Sequence, residues 1–424
     1  MASKDTDRQC WWGQMGRAFR REWHIIFSDM GVMLFFIALP LLYPITYTLI
    51  YNPEIVTEMP TAVVDHSMTP SSRKLVRAID ASPSVALYSY CPEMGEARRL
   101  YAERKVDGII EIPADYEKRI MRGEQAQVQF YAQTSLLLRY RAYLETLTDV
   151  QIKLAGEITA ERAGAAGLTS AGMSVPIKTN SHFLGIPGQG FASFIMPGIV
   201  ILILQQSMVL GICFIGGTSR ERRRRIYPLP DPLMMRDVHP TAAVIGKALC
   251  YTIFYIPMTI YVVRYIPEFF GLPHSGDAVD YLLFLLPFLL ASAMFGQAVQ
   301  YLCKERESAF MIVVFSSVMF LFLSGLTWPR YAMGPVWTAI ADLVPATWGL
   351  EGFVRINTNS ATLAENVRPY VAMWILTAVY FLAAWWVTAR IRREAGLQSR
   401  SALTSSPKNS EVMPENRDAS SVVR

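Results

Sequence analysis

The stretch that decides the class of this 424-residue chain is Phe191–Gly217, which has the sequence FASFIMPGIVILILQQSMVLGICFIGG. It contains no charged residue, and about 20 apolar residues in succession are enough for a helix to cross a lipid bilayer. The whole composition agrees, because 52% of the residues are hydrophobic and 18% are charged, against about 45–50% and about 25% in soluble proteins. The composition therefore excludes an ordinary soluble enzyme and a disordered chain.

Five further stretches are long and apolar enough to span a membrane. The predicted spans are Gly31–Tyr51, Phe191–Gly217, Thr241–Ile266, Tyr281–Leu302, Ala309–Leu326 and Tyr370–Ala389. Lys and Arg are concentrated before the first span, after the second, between the fourth and fifth, and after the sixth. By the positive-inside rule, this alternation predicts that both termini lie in the cytoplasm. We therefore predict an α-helical polytopic membrane protein with six transmembrane helices.

Residues 52–190, between the first two spans, have an ordinary charged composition and are predicted to form a soluble domain on the far side of the membrane. Short β-rich runs alternate there with helical runs, from Thr61–Asp65 to a long amphipathic helix that ends near Ala165. This alternation predicts an α/β domain with a small, largely parallel sheet. We interpret Asp65-His66-Ser67 as a strand end before a helix capped near Thr69, and not as a catalytic site.

Residues 1–30 are predicted to contain an amphipathic helix at the membrane surface, because aromatic residues and Arg17, Arg20 and Arg21 recur at helical spacing. This helix either only anchors the first span or also touches a cytoplasmic partner. Residues 390–424, after the last span, are predicted to be cytoplasmic and, in their polar end, disordered.

The loop of residues 218–240 carries the strongest basic run of the chain. That run is Arg220, Glu221, Arg222, Arg223, Arg224 and Arg225. It is either a topology signal alone or part of a short helix that lies across a partner surface. Nucleic acid is a poor partner for it, because the run has no interleaved aromatic residues on which bases could stack.

Polar residues inside the spans need an explanation, because hydrogen-bonding groups are costly in hydrocarbon. The main ones are Gln205, Gln206, Gln297 and Gln300. They either line a translocation path or form hydrogen bonds between helices, and the sequence leaves both explanations open. An ion-driven secondary transporter is disfavoured, because the six spans contain no Asp, Glu or His.

The segment of residues 327–369 lies outside the membrane in the predicted topology, yet it is rich in apolar residues. A helix that dips into the outer leaflet and returns would shield them, so we predict a re-entrant segment. The residues that mark it are Trp328, Pro329, Pro345, Trp348 and Glu351. No C-x-x-C, H-E-x-x-H or G-x-S-x-G pattern occurs, so we predict neither a metal site nor a catalytic site.

Four features together resemble the permease subunits of type-2 ATP-binding-cassette (ABC) exporters, in the bacterial branch with a large periplasmic insert. They are Met59–Arg77 followed by Lys105–Lys118, Arg220-Glu221 followed by Gly246-Lys247, Ser324–Pro329 followed by Pro345–Ile356, and the order of amphipathic helix, span, insert and five further spans. The chain departs from the family after Glu221, where four arginines replace a short charged stretch that often ends in Gly-Thr.

The resemblance implies a permease that works as a dimer, with itself or with a sister permease, in the bacterial inner membrane. It also implies an elbow helix at residues 1–30, a coupling helix in the loop of residues 218–240, and re-entrant outer helices. ATP would be hydrolysed by a separate cytoplasmic ABC ATPase subunit, so this chain would bind no cofactor itself. The chain agrees in having no G-x-x-x-x-G-K-[ST] loop.

The expected function is export of a small amphipathic or hydrophobic substrate, a drug-like compound or a lipid, out of the cytoplasm or the inner leaflet. Membrane lipids surround such a permease, and the large periplasmic domain leaves room for a periplasmic adaptor protein. The alternative is a membrane-anchored periplasmic sensor or assembly scaffold that does not transport. Six spans and intramembrane glutamines are more than anchoring requires, so we favour the exporter.

Overall fold

The computed structural model describes residues 10–51, 56–132, 137–165, 190–225 and 238–405. In chain order, the elements are α1 (Trp11–Ser28), α2 (Met30–Tyr51), β1 (Met59–Asp65), α3 (Pro70–Asp80), β2 (Val85–Tyr90), α4 (Met94–Ala102), β3 (Gly108–Ile112), α5 (Tyr116–Arg122), β4 (Gln129–Ala132), α6 (Leu137–Ala165), α7 (Phe191–Arg225), α8 (Pro240–Phe270), α9 (Ala278–Val299), α10 (Arg306–Leu323), α11 (Pro335–Asp342), α12 (Pro345–Asn359) and α13 (Val367–Ser405). The chain divides into two compact units. The inserted unit is Ile50–Phe194, and the helical unit is the remainder.

The helical unit contains a helix for each of the six predicted spans. These helices are α2, α7, α8, α9, α10 and α13, and each is long and apolar enough to cross a membrane. The helical architecture with an inserted sheet confirms the predicted fold class. Short π-helical turns interrupt α2 at Leu34–Ala38 and α8 at Tyr261–Tyr265. Both turns lie close to prolines, whose missing N–H groups disturb regular α-helical hydrogen bonding.

Helix α7 lies at the centre of the helical unit, and 94% of its most apolar window is buried. Glycines let its neighbours approach closely. A Cβ atom on Gly211 would overlap the ring of Phe36 in α2, and a Cβ atom on Gly296 in α9 would meet Ile212. Helices α2, α8, α9 and α10 all contact α7, whereas few residues of α2, α10 and α13 are fully buried.

Two helices end before the predicted span does. Helix α9 ends at Val299 and not at Leu302, because the chain turns there through hydrogen bonds between residues three apart. Helix α10 ends at Leu323 and not at Leu326, and Gly325 follows with a φ of 91°, a left-handed conformation that glycine adopts without strain. The apolar run continues through both turns, so hydropathy alone does not reveal them.

Helix α13 continues beyond the last predicted span to Ser405, so the predicted disorder of the polar tail does not apply to residues up to 405. No proline or glycine pair interrupts residues 390–405, and Arg, Glu, Ala, Leu and Gln favour helix. Residues 406–424 lie outside the described part of the chain.

The inserted unit has a four-stranded sheet in the order β2-β1-β3-β4. Strand β1 pairs in parallel with β2 and β3, and β4 pairs antiparallel to β3, as the predicted largely parallel sheet requires. Apolar clusters cover both faces of the sheet: one contains residues of α3, α5 and α6, and the other contains Ala97 of α4. Thr69 caps α3, and Pro70 begins that helix.

Candidate coupling site and the polar residues of the spans

The junction between α1 and α8 contains a buried acid. Glu22 of α1 is wholly buried, and Lys247 Nζ lies 3.0 Å from its Oε1 atom. The hydroxyl of Tyr251 donates a hydrogen bond of 2.8 Å to Oε2, and Arg21 Nη1 lies 4.0 Å from the carboxylate. One carboxylate on α1 is therefore held by two residues of α8 and by its own neighbour.

The charge state of Glu22 depends on the balance between its burial and its positively charged neighbours. Burial opposes the charged form and by itself would raise the pKa. The Lys247 ammonium and the Arg21 guanidinium outweigh burial, so the pKa of Glu22 lies below its ordinary value. Glu22 is therefore an anion at neutral pH, and its junction with Lys247 is an ion pair.

The same two helices meet along several turns. The Trp11 indole Nε1 donates a hydrogen bond of 3.2 Å to Thr241 Oγ1. The backbone N–H of His239 donates to Gln14 Oε1 at 2.6 Å. Close to Glu22, Gly246 leaves no room for a Cβ atom between α8 and α1. The last residues of the loop of residues 218–240 are therefore tied to α1.

Among the predicted coupling residues, the arginines of α1 differ in environment. Arg20 is exposed, Arg17 is half-buried, and Arg21 lies beside the buried Glu22. Helix α7 extends through the basic run to Arg225, which the sequence assigned to a loop. The side chains of Arg222, Arg223, Arg224 and Arg225 lie outside the described structure, as do residues 226–237 of the predicted coupling loop.

Arg220 makes internal contacts. Its Nη1 atom donates hydrogen bonds to the carbonyl oxygens of Tyr301 and Cys303, at 2.5 and 2.9 Å, and its guanidinium lies 5.1 Å from the centre of the Tyr301 ring. These carbonyls belong to the turn between α9 and α10. Arg220 therefore stabilises that turn, whereas Glu221, the next residue of α7, is half-buried.

A second ion pair fixes the corner between α1 and α2. Asp29 Oδ1 accepts a hydrogen bond of 2.9 Å from the Gly31 backbone N–H at the start of α2. The same oxygen lies 2.6 Å from Arg306 Nη2, at the start of α10. The Arg306 guanidinium also lies 4.2 Å from the centre of the Phe214 ring of α7. Three spans thus meet at this corner.

The four predicted translocation-path glutamines do not form one cluster. Gln205 is wholly buried and Gln206 lies beside it, and neither amide has a hydrogen-bond partner in the described structure. Gln297 is buried and donates a hydrogen bond of 3.3 Å to the Val244 carbonyl. Gln300 packs beside Gly216, about three helical turns along α7 from Gln205.

A sequence comparison decides the family. The family model described as ABC-2 family transporter protein matches residues 30–386, which is most of the chain. The chain belongs to the ABC-2 transporter family. It is a membrane-spanning permease subunit of an ABC transporter, a class that works with an ATPase subunit. No curated protein sequence matches the permease.

The predicted re-entrant segment of the permease contains two short helices, α11 and α12, that meet at a sharp turn after Asp342. Arg330 forms ion pairs with Asp342 and, at 2.5 Å, with Glu351. Its guanidinium lies 4.6 Å from the Trp348 ring, and the Trp348 indole donates to the Asp342 carbonyl at 3.0 Å. Trp348 and Glu351 therefore stabilise the turn.

The other residues predicted for this segment lie around the same turn. Pro345 begins α12, where a missing N–H group is harmless. Pro329 precedes a short 3-10 turn at Arg330–Ala332, and Trp328 is 58% exposed. Trp328 therefore does not share the buried environment of Trp348.

Sequence reasoning missed the ion pairs of Glu22 with Lys247 and of Asp29 with Arg306 in the permease. One signal was available, since Glu22 is the only acid of α1 and Lys247 is the only Lys of the third predicted span. An isolated acid on a basic helix requires a cationic partner if it is buried. Within the described ranges, no group of three or more His, Cys, Asp or Glu residues is placed to hold a metal ion.

Proposed function

We propose that the permease exports a small amphipathic or hydrophobic substrate, a drug-like compound or a lipid, out of the cytoplasm or the inner leaflet. A separate ATPase subunit supplies the energy by hydrolysing ATP. In this proposal the permease lies in the bacterial inner membrane with both termini in the cytoplasm, and the inserted unit lies in the periplasm. Membership of the ABC-2 family and the six membrane-spanning helices support the proposal.

The observation that carries the proposal is the junction of α1 with α8. A cytoplasmic ATPase would act on α1 and on the loop of residues 218–240. Both are tied to the start of α8, through Glu22 with Lys247 and through Gln14 with His239. A displacement of α1 would therefore move a membrane span instead of being absorbed by a flexible link, as switching between two states of a bundle requires.

The permease is proposed to pair with itself or with a sister permease, as the family resemblance implies. Helix α10 offers apolar surface for lipid or for such a partner, since Phe310, Met311, Phe315, Val318 and Phe322 are exposed. The inserted unit gives a periplasmic adaptor protein a place to bind in this proposal.

The test is co-expression of the permease with candidate ABC ATPase subunits, followed by purification in mild detergent and reconstitution into nanodiscs. We expect an ATPase to co-purify in equal amount and its rate of ATP hydrolysis to change with transported compounds. A folded permease that recruits no ATPase from its own genome would overturn the proposal and favour the periplasmic sensor or assembly scaffold.

Two variants examine the coupling route in the same preparation. Glu22→Gln keeps the shape of the side chain and removes the charge that binds Lys247. We expect it to retain ATPase binding and to reduce the response of ATP hydrolysis to substrate. Arg264→Ala is the matched control, because it breaks an exposed ion pair with Glu268 elsewhere in α8. Equal responses in the two variants would remove the α1–α8 junction from the mechanism.

A further inference from the structure

The packing of α7 against α9 contains two polar side chains at one level. On one side of this level, Phe288 of α9 and Ile201 of α7 both pack around Gly349 of α12. On the other side, Gly296 of α9 packs against Ile212 of α7. The two helices are therefore held together above and below a short central section.

Gln205 and Ser292 occupy that central section. Gln205 follows Ile201 by four residues, and Ser292 lies four residues from both Phe288 and Gly296. Residues four apart share one face of a helix. Each side chain therefore lies on the face that its helix presents to the packed interior, and both residues are 0% exposed.

Within the described residues, neither side chain has a hydrogen-bond partner for its polar atoms. Both amide atoms of Gln205 and the hydroxyl of Ser292 lack a hydrogen bond to any residue that the structure describes. Ser207, two residues further along α7, shows the usual solution, because Tyr255 donates a hydrogen bond of 3.0 Å to its hydroxyl. Buried polar groups are costly without partners, so unpaired ones at one level indicate a bound molecule.

We propose that Gln205 and Ser292 bind an internal water molecule between α7 and α9. The amide and the hydroxyl together offer donors and acceptors, and neither carries a charge, which suits a neutral hydrogen-bonding ligand. Both residues are wholly buried, and close contacts at Gly349 and Gly296 limit the section on either side, so the ligand has to be small, and water is the smallest neutral molecule that both donates and accepts hydrogen bonds. Internal waters of this kind typically make about three hydrogen bonds to otherwise unpaired groups.

The site has a consequence that rests on the proposed function. A bridging water keeps both side chains paired while the spacing between α7 and α9 changes. A direct bond between the amide and the hydroxyl would hold that spacing fixed. The water site would therefore let the centre of the bundle shift during a transport cycle.

A double-mutant cycle on the full permease tests the water site without any transport assay, so it can fail independently of the proposed function. The variants are Gln205→Leu, Ser292→Ala and the two combined, and the readout is the thermal unfolding midpoint in detergent. We expect each single variant to lower the midpoint, and the double variant to lower it by less than the sum, because both remove the same bridge.

Gln205→Leu combined with Ser316→Ala is the control, since the Ser316 hydroxyl bonds to the Val313 carbonyl of its own helix α10. These two changes should add. If no water binds there, Gln205→Leu and Ser292→Ala should each raise the thermal unfolding midpoint, and their effects should add. That pattern would overturn the proposal.

X-ray radiolytic labelling of the unmutated permease gives an answer even where a variant fails to fold. Hydroxyl radicals formed from a bound water oxidise side chains beside it without access from bulk solvent. Met208 and Phe288 are fully buried and lie one turn from Gln205 and Ser292. We expect rapid oxidation of both. Labelling of Phe288 no faster than that of Phe284, a side chain of the same chemistry that is buried equally deeply one turn further away, would overturn the proposal.

Discussion

Lys247 Nζ lies 3.0 Å from Oε1 of Glu22, a carboxylate that α1 buries completely against α8. Tyr251 and Arg21 complete its surroundings. A charge taken out of water in this way is stable only while its partners remain in place. The pair therefore makes the contact between α1 and the third span specific, and it provides the most direct predictions.

Removal of Lys247 should lower the folding stability of the permease. Lys247→Met leaves the Glu22 carboxylate buried without its main counter-charge, and breaking a buried ion pair costs about 3–5 kcal/mol. We expect the lower end of that range, because Lys247 is 20% exposed and Arg21 remains nearby. The thermal unfolding midpoint in detergent measures the effect. Arg264→Ala should change the midpoint little, and an equal loss in both variants would contradict the assignment.

The stability that Glu22 provides should depend on pH. Its pKa is lowered in the folded protein, so the stabilisation is present above the unfolded-state value of about 4.3. It is lost as the pH falls through the lower folded value. We expect the difference in unfolding midpoint between the unmutated permease and Glu22→Gln to be constant above about pH 5 and to shrink in more acidic buffer. A difference that grows on acidification would show the opposite pKa shift.

The close contact of α2 with α7 should not tolerate a methyl group. In Gly211→Ala the new Cβ atom overlaps the ring of Phe36, and such overpacking costs about 1–3 kcal/mol. Gly16→Ala on α1 is the matched change, because no atom lies near the position of its Cβ. That variant should gain about 0.5–1 kcal/mol, since alanine favours helix more than glycine. Unfolding midpoints of the two variants should move in opposite directions.

Arg220 should contribute mainly to the folding stability of the permease. Arg220→Met leaves the carbonyl oxygens of Tyr301 and Cys303 without their donor, which costs about 1–3 kcal/mol where the carbonyls are buried. We expect a lower unfolding midpoint for the permease purified alone. An unchanged midpoint together with weaker ATPase binding would instead assign Arg220 to the coupling surface.

In the inserted unit, Asp65 should be structural. Its carboxylate accepts hydrogen bonds from the Ser67 and Met68 amides, at 2.9 and 3.0 Å, and from the Ser72 hydroxyl at 2.6 Å. Asp65→Ala should therefore speed amide hydrogen exchange in β1 and α3 of the full chain, with a loss of about 1–3 kcal/mol. His66→Ala alters a side chain that is 41% exposed and should leave exchange unchanged. Faster exchange in both variants would contradict this role.

Sequence patterns predicted the helices and strands, because these depend mainly on the order of apolar and polar residues along the chain. Hydropathy located all six membrane-spanning helices, and the β-rich run Thr61–Asp65 lies within β1 and ends where that strand ends. The re-entrant segment stays a prediction, and it rests on the apolar residues of a loop that the predicted topology places outside the membrane. Its corner at Arg330, however, depends on Asp342 and Glu351 approaching from two helices.

Pairings between distant residues could not be predicted in this way. Arg220 reaches carbonyls about 80 positions away, in a turn that hydropathy does not reveal. Charge counts treat it as one more cation of the basic run, although its contacts are internal. Likewise, the glutamines were recognisable as unusual residues, but only the packing of α7 and α9 separates Gln205 from Gln297 and Gln300.

Helices α2 and α7 touch at two places, through Phe36 with Gly211 and, next to the inserted unit, through Thr48 Oγ1, which lies 3.8 Å from Met196 Sδ. The polypeptide therefore leaves the helical bundle and re-enters it at adjacent points, although the whole inserted unit lies between these points in the sequence. Because of this geometry, the inserted unit should be replaceable. A short glycine–serine bridge, or an unrelated domain with neighbouring termini, can be spliced between the two helices without pulling them apart.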